Sequence, residues 1–92
     1  MIYKYVALIA RAAENDKYYC DVPDLPGCIT TGDSIEDAIA MITDAMSGWL
    51  VVAEDEGNEI PKPRKESDFE VCSGIIKKEI KIDTDLARKN GW

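Results

Sequence analysis

The sequence predicts an α+β domain in the order β-β-β-α-β, with one long helix lying on one face of the sheet. Three observations carry this reading. β-formers alternate near both ends of the chain, a proline-bracketed turn separates two short strand-like runs, and apolar residues recur at helical spacing from Ile35 to Ala53. The 92 residues make one domain, close to the lower size at which a single core sustains itself. Hydrophobic residues are 46% of the chain, enough to fill such a core.

Met1 to Ala10 forms the first strand. Ile2, Val6 and Leu8 fall on one face, and Tyr3, Tyr5, Ala7 and Ile9 on the other. Neither face is plainly polar, so a central strand covered on both sides is expected. Glu14 to Lys17 is the turn, and Tyr18 to Val22 returns as the hairpin partner. Tyr18, Cys20 and Val22 share one face of it, Tyr19 and Asp21 the other. Pro23 and Pro26 withhold backbone donors and fix φ, while Gly27 is free to take a positive φ. The loop they bracket reads either as a connector between strands or as a rigid contact surface. Cys28 to Thr31 is long enough for a short third strand.

Ser34 opens the helix. Asp33-x-x-Glu36 and Ser34-x-x-Asp37 both fit the reciprocal capping pattern, and acidic residues in the first turn suit the positive end of the helix dipole. Ile35, Ala38, Ile39, Ile42, Ala45, Met46, Trp49, Leu50 and Ala53 then form a broad stripe made for a sheet. Gly48 costs about 1 kcal/mol inside a helix, which suggests close approach to the sheet. Gly57 ends the helix, and Pro61 and Pro63 prevent its resumption.

A polar connection follows, with a helical turn expected around Ser67 to Cys72. Ile75 to Asp83 is the last strand, with Ile76, Ile80 and Ile82 inward and Lys77, Glu79 and Lys81 outward. A helix returning to the same sheet lays this strand parallel to the first through a right-handed crossover, so a mixed sheet is expected. The domain then spans 1–83, and 84–92 reads as one helical turn or a short tail placing Trp92 against a neighbour. One helix covers only one face. Tyr3, Tyr5, Ile9 and Tyr19 are expected on the other, where a second copy, a partner or the connection before the last strand should cover them.

Lys and Arg number 11 against 18 Asp and Glu, a net charge of −7. That argues against nucleic acid as a direct ligand, which needs a concentrated basic patch, and favours a basic partner. Three cysteines and no histidine leave no zinc site, and Cys20 and Cys28 are too far apart for a metal clip. Cys20, Cys28 and Cys72 are read as reduced, mostly buried thiols. No signal peptide is visible and no apolar run approaches the about 18 residues of a membrane span, so a cytosolic, non-membrane protein is expected.

The element order resembles the ribonuclease H core, which makes metal-binding carboxylates the right test of catalysis. A two-metal nuclease of that architecture gathers acids from the first strand, the helix and the fourth strand. Residues 2–10 contain none, capping accounts for Glu36 and Asp37, and Asp83 and Asp85 lack a first-strand companion. Cys28 follows a tight turn but has no histidine base. No catalytic residue, cofactor or metal is expected, and the chain is read as a binding protein rather than an enzyme.

Asp21-Val22-Pro23-Asp24-Leu25-Pro26-Gly27-Cys28-Ile29-Thr30, followed by Gly32-Asp33-Ser34-Ile35-Glu36-Asp37-Ala38, resembles the signature of the HicB-like antitoxins. Residues 56–63, Glu-Gly-Asn-Glu-Ile-Pro-Lys-Pro, resemble that family's exit from the helix, and the likeness covers about residues 1–83. It implies a partial ribonuclease H-like fold without its nuclease centre. It also implies a partner, a small basic HicA-type mRNA interferase whose RNA-binding surface the antitoxin occludes. Many members continue into a DNA-binding segment. Here the sequence ends nine residues after Asp83, so direct DNA binding is not expected.

The functional expectation is an antitoxin. Asp21, Asp24, Asp33, Glu36 and Asp37 would steer and anchor toxin lysines or arginines, and Tyr3, Tyr5 and Tyr19 would form a toxin-facing or self-association surface, with a homo-oligomer expected. The alternative is a solitary, non-catalytic protein-binding or dimerisation domain.

Overall fold

A computed structural model of the chain describes residues 1–91; Trp92, and the contact expected of it, lie outside the described residues. The elements are β1 (Ile2–Arg11), β2 (Tyr18–Asp21), β3 (Ile29–Gly32), α1 (Ile35–Glu56), β4 (Ile76–Asp83) and α2 (Thr84–Lys89). A 3-10 turn at Glu66–Asp68 takes the place of the turn expected around Ser67 to Cys72.

The β-β-β-α-β order and the single long helix on one face are as expected, but the sheet is not mixed. Its strands lie in the order β3-β2-β1-β4, and every neighbouring pair is antiparallel. Ile2 sits opposite Asp83 and Ile9 opposite Ile76, so β4 runs against β1. The reason lies in the connection. α1 starts beside Gly32, at the Arg11 end of β1, and finishes at the other end, where Tyr3 meets Glu54. A strand starting there would be parallel to β1. Residues 57–75 instead carry the chain back to the Ile9 end before β4 begins.

The helix also takes the opposite face from the one expected. Tyr5, Ala7 and Ile9 of β1 join Cys20, Val22, Leu25, Cys28, Ile80 and Ile82 in a core closed by Ala38, Ile42, Met46 and Leu50 of α1. Tyr3 packs against this core from its edge. Register decides the matter. Tyr3 and Tyr5 stand opposite Ile82 and Ile80, whereas Lys4, Val6 and Leu8 stand opposite Lys81, Glu79 and Lys77. A helix on that second face would strip three charged β4 side chains of water.

Local chemistry sets the ends of α1. Ser34 Oγ accepts from the Asp37 amide at 3.0 Å, and Asp37 Oδ2 accepts from the Asp33 amide at 2.8 Å. Gly57 closes the helix at φ 68°, its amide donating to the Ala53 and Glu54 carbonyls. Gly32 is a point of close contact between helix and sheet, because a Cβ there would lie 2.4 Å from the Ala38 nitrogen. Gly48, for which that part was expected, lies instead on the flank of α1 beside Cys28 and Trp49.

The segment after Asp83 folds back onto the helix. Asp83 caps α2 by accepting from the Asp85 amide at 3.0 Å, and Arg88 pairs with Glu54 and Asp55 of α1 at 3.0 and 2.9 Å. The stretch Lys81 to Leu86 is thus the end of β4 and the start of α2. No helix of the described residues is long and apolar enough to cross a membrane.

Candidate functional site: a groove on the outer sheet face

The sheet face away from α1 is only partly covered. Lys77 Nζ donates to the carbonyls of Glu66 at 3.1 Å and Phe69 at 3.3 Å, which draws the connection across part of it. Phe69 is buried there, with the Arg64 guanidinium 4.4 Å from its ring centre. Beyond that strap an open groove of about 330 Å³ remains. Leu8, Ala10, Tyr19, Asp21 and Ile29 form its floor and one wall; Val71, Cys72 and Ile75 form the other.

The floor follows from the hairpin register. Leu8 pairs with Asp21 and Ala10 with Tyr19, and Asp21 in turn pairs with Ile29, so all five side chains share one face. Tyr19 is 45% exposed and Ile29 65% exposed, large apolar surfaces left open to water. Asp21 is the only charged side chain among these five. Its Oδ1 is buried without any hydrogen-bond partner, and burial pushes its carboxyl above the usual range. A desolvated carboxylate oxygen lacking a donor is costly to the isolated chain and keeps its capacity to accept a hydrogen bond.

The other expected site residues scatter, so the five acids do not form one cluster. Asp24 is no free anchor. Its side chain is 5% exposed and accepts from the Arg64 amide at 2.9 Å and from Arg64 Nε at 2.6 Å, tying the connection to the Pro23–Gly27 loop. Trp49 Nε1 donates to the Pro26 carbonyl at 3.0 Å, so the loop is held from both sides. Asp33, Glu36 and Asp37 do come together at the start of α1. There Asp33 pairs with Lys17 and Asp37 caps the preceding turn, leaving Glu36 exposed.

The aromatic surface divides too. Tyr5 has no exposed surface and its hydroxyl donates to the Pro61 carbonyl, while Tyr3 donates to Glu54 at 2.7 Å. Both belong to the helix-covered side, which corrects their expected place on an association surface. Tyr19 alone faces outward. Leu8 and Ala10 could have been added to the site from the hairpin register; Val71, Cys72 and Ile75 could not, since they reach it through an irregular connection.

All three cysteines are free thiols; Cys20 and Cys28 are buried as expected, and Cys72 departs from that expectation in being exposed. Burial pushes the Cys20 thiol up to about 12 and that of Cys28 to about 11, with the Asp21 charge adding to both. Among the described residues no group of three or more His, Cys, Asp or Glu side chains is placed to hold a metal ion.

This architecture is that of HicB antitoxin N-terminal domains. The N-terminal domain of the Burkholderia pseudomallei antitoxin HicB superposes with a TM-score of 0.77 at 19% identity, covering 88% of this chain and 99% of that one. The chain belongs to the HicB-like antitoxin family of bacterial toxin-antitoxin systems, whose profile matches residues 5–89. A chain of a toxin-antitoxin complex from Streptococcus pneumoniae gives a TM-score of 0.78 at 18% identity, over 95% of this chain and 73% of that one. A chain of the HicA3 and HicB3 toxin-antitoxin complex gives 0.65 at 22%, over 88% and 99%.

Two sequence relatives are also similar. An uncharacterised protein of Haemophilus phage HP1 is 35% identical over 48 residues, a match that spans 52% of this chain but only 36% of that protein. A UPF0150 protein of Thermoplasma acidophilum is 31% identical over 64 residues, 68% of this chain and 90% of that protein.

Proposed function

We propose that this antitoxin neutralises a small basic HicA-type mRNA interferase by covering its RNA-binding and active surface, acting in the cytoplasm by binding and not by catalysis. The observation that carries this is the orphaned Asp21 Oδ1 in the outer groove, with Tyr19 exposed beside it. A lysine or arginine of the toxin would supply the missing donor, while Tyr19, Leu8 and Ile29 exclude water around the contact. Glu36, exposed at the start of α1, adds long-range attraction within a chain of net charge −7. Membership of an antitoxin family and the fold shared with chains of toxin-antitoxin complexes support the choice of partner.

The test is co-expression with a small basic HicA-type ribonuclease encoded beside this chain. Relief of toxicity and a complex that purifies intact are expected, with Asp21→Asn and Tyr19→Ala each weakening it by about tenfold or more. A chain that neither binds the ribonuclease nor restores growth would sink the proposal.

A further inference from the structure

Across the outer face Ile29, Asp21, Leu8 and Lys77 stand in one row, each on its own strand. Lys77 is the cation of that row, two strands and about 10 Å from Asp21. Leu8 stands between them, and Lys77 Nζ is drawn off to the carbonyls of Glu66 and Phe69. The row's own positive charge is thus spent on the strap, and Asp21 Oδ1 keeps its accepting capacity inside the groove.

Tyr19 precedes Asp21 by two positions on β2, so it stands on the same face about 7 Å along the strand. Its neighbour on β1 is Ala10, too short to cover the ring, which stays half-exposed. An aromatic ring and a desolvated carboxylate therefore line one groove side by side. The same pairing occurs elsewhere in the chain around Arg64. Its guanidinium lies 4.4 Å from the centre of the Phe69 ring while Nε donates to Asp24 Oδ1 at 2.6 Å. One arginine there serves an aromatic face and a buried carboxylate together.

We infer that the outer groove receives an arginine side chain of the basic partner, stacked on Tyr19 and donating to Asp21, its aliphatic stem against Leu8 and Val71. The source of that arginine, a toxin, rests on the function proposed above; the chemistry of the groove does not. Lysine is the wrong cation for this place. An ammonium carries three donors and holds its water tightly, and a single carboxylate oxygen in apolar surroundings leaves the other donors dry. A guanidinium is flat and weakly hydrated, so Tyr19 covers one of its faces while its edge meets the carboxylate. Asp21 carries the only charge among the described residues that line the groove, so the choice between the two cations turns on Tyr19 and Asp21.

Nuclear magnetic resonance titration of the isotope-labelled full chain tests this, with the N-acetyl methylamides of arginine and of lysine as probes. The arginine probe should shift the amides of Tyr19, Asp21 and Ile29 and bind about fivefold or more tighter than the lysine probe. Tyr19→Leu, apolar still but without the ring, should bring the two probes within about twofold of each other, and Tyr19→Phe should keep the preference. Asp21→Asn should weaken the arginine probe by about fivefold or more, with the rest of the amide spectrum unchanged. In the complex with the ribonuclease, exchanging its arginines for lysine one at a time should reveal one position that costs about tenfold in affinity for the parent chain and far less for Tyr19→Leu. Probes that bind equally, bind elsewhere or leave these amides unmoved overturn the inference, as does a preference that survives Tyr19→Leu. The probes need no toxin, so a chain that takes the arginine probe here yet ignores the ribonuclease would refute the toxin reading alone. A stable toxin complex indifferent to every arginine-to-lysine exchange would refute the arginine and spare that reading.

Discussion

The Tyr3 hydroxyl donates to Glu54 Oε2 at 2.7 Å, tying the start of the first strand to the last turn of α1. The same carboxylate accepts from Thr84 Oγ1 at 3.0 Å and from Arg88 at 3.0 Å, so one side chain joins β1, α1 and α2. Burial, then the bond to Glu54, pushes the Tyr3 hydroxyl up to about 12. At Glu54 burial alone would raise the carboxyl. The hydrogen bonds from Tyr3, Arg88 and Thr84 and the charge of Arg88 outweigh it and hold the group below its ordinary value.

A carboxyl whose pKa is depressed by folding adds stability above its unfolded value, lost as pH falls through the folded one. Thermal melts should therefore drop as pH is taken below the ordinary carboxylate range, and Glu54→Gln should flatten that part of the profile while lowering Tm at neutral pH. Tyr3→Phe removes one hydrogen bond to a charged acceptor and should cost about 1–2 kcal/mol in a denaturant titration. A pH profile identical to the parent's in Glu54→Gln would remove Glu54 from this role.

Asp21 has the opposite sign. Its folded pKa is raised by burial, so the folded chain loses stability as pH climbs from the ordinary value through the raised one. Asp21→Asn should therefore raise the Tm of the isolated chain near neutral pH while weakening the toxin complex, a separation of stability from function. Calorimetry on the chain alone and titration against the toxin read the two effects independently. A variant that loses both would show Asp21 to be a structural residue.

Thiol chemistry should follow exposure. Cys72 is exposed, whereas burial holds Cys20 and Cys28 far above neutrality as protonated thiols. Under native conditions an alkylating reagent should modify Cys72 alone, and the other two only on unfolding. Mass spectrometry of the labelled protein counts the modified sites.

Gly32→Ala should be costly even though no positive φ is needed there. The added Cβ would strike the backbone of Ala38 rather than a movable side chain, so helix and strand must part. A loss of about 1–3 kcal/mol is expected from chemical denaturation. An unchanged midpoint would mean that α1 can shift off β3 freely.

Most of the scaffold was legible in the linear order of residues. Ser34 and Gly57 mark the ends of α1 because capping and a left-handed terminus need those residue types locally, and the apolar stripe between them has a period that suits only a helix. Alternation sorted β1 correctly into two faces. What it could not do was choose between them, since Tyr5 and Leu8 are both apolar; the choice came from β4, whose isoleucines stand opposite the tyrosines and whose lysines stand opposite Lys4 and Leu8.

The candidate site was legible only in part. Asp21 and Tyr19 are picked out by charge and by aromatic surface, but so are Asp24 and Tyr5, which the fold consumes through Arg64 and the Pro61 carbonyl. Those partners lie 40 and 56 positions away in the chain, beyond the reach of local spacing. Sequence alone settled the elements, because propensity, capping and period act over a few neighbours. Strand direction, the covered face and which acid stays unpaired were decided by tertiary structure, because each depends on groups that meet only when the connection after α1 has crossed the sheet.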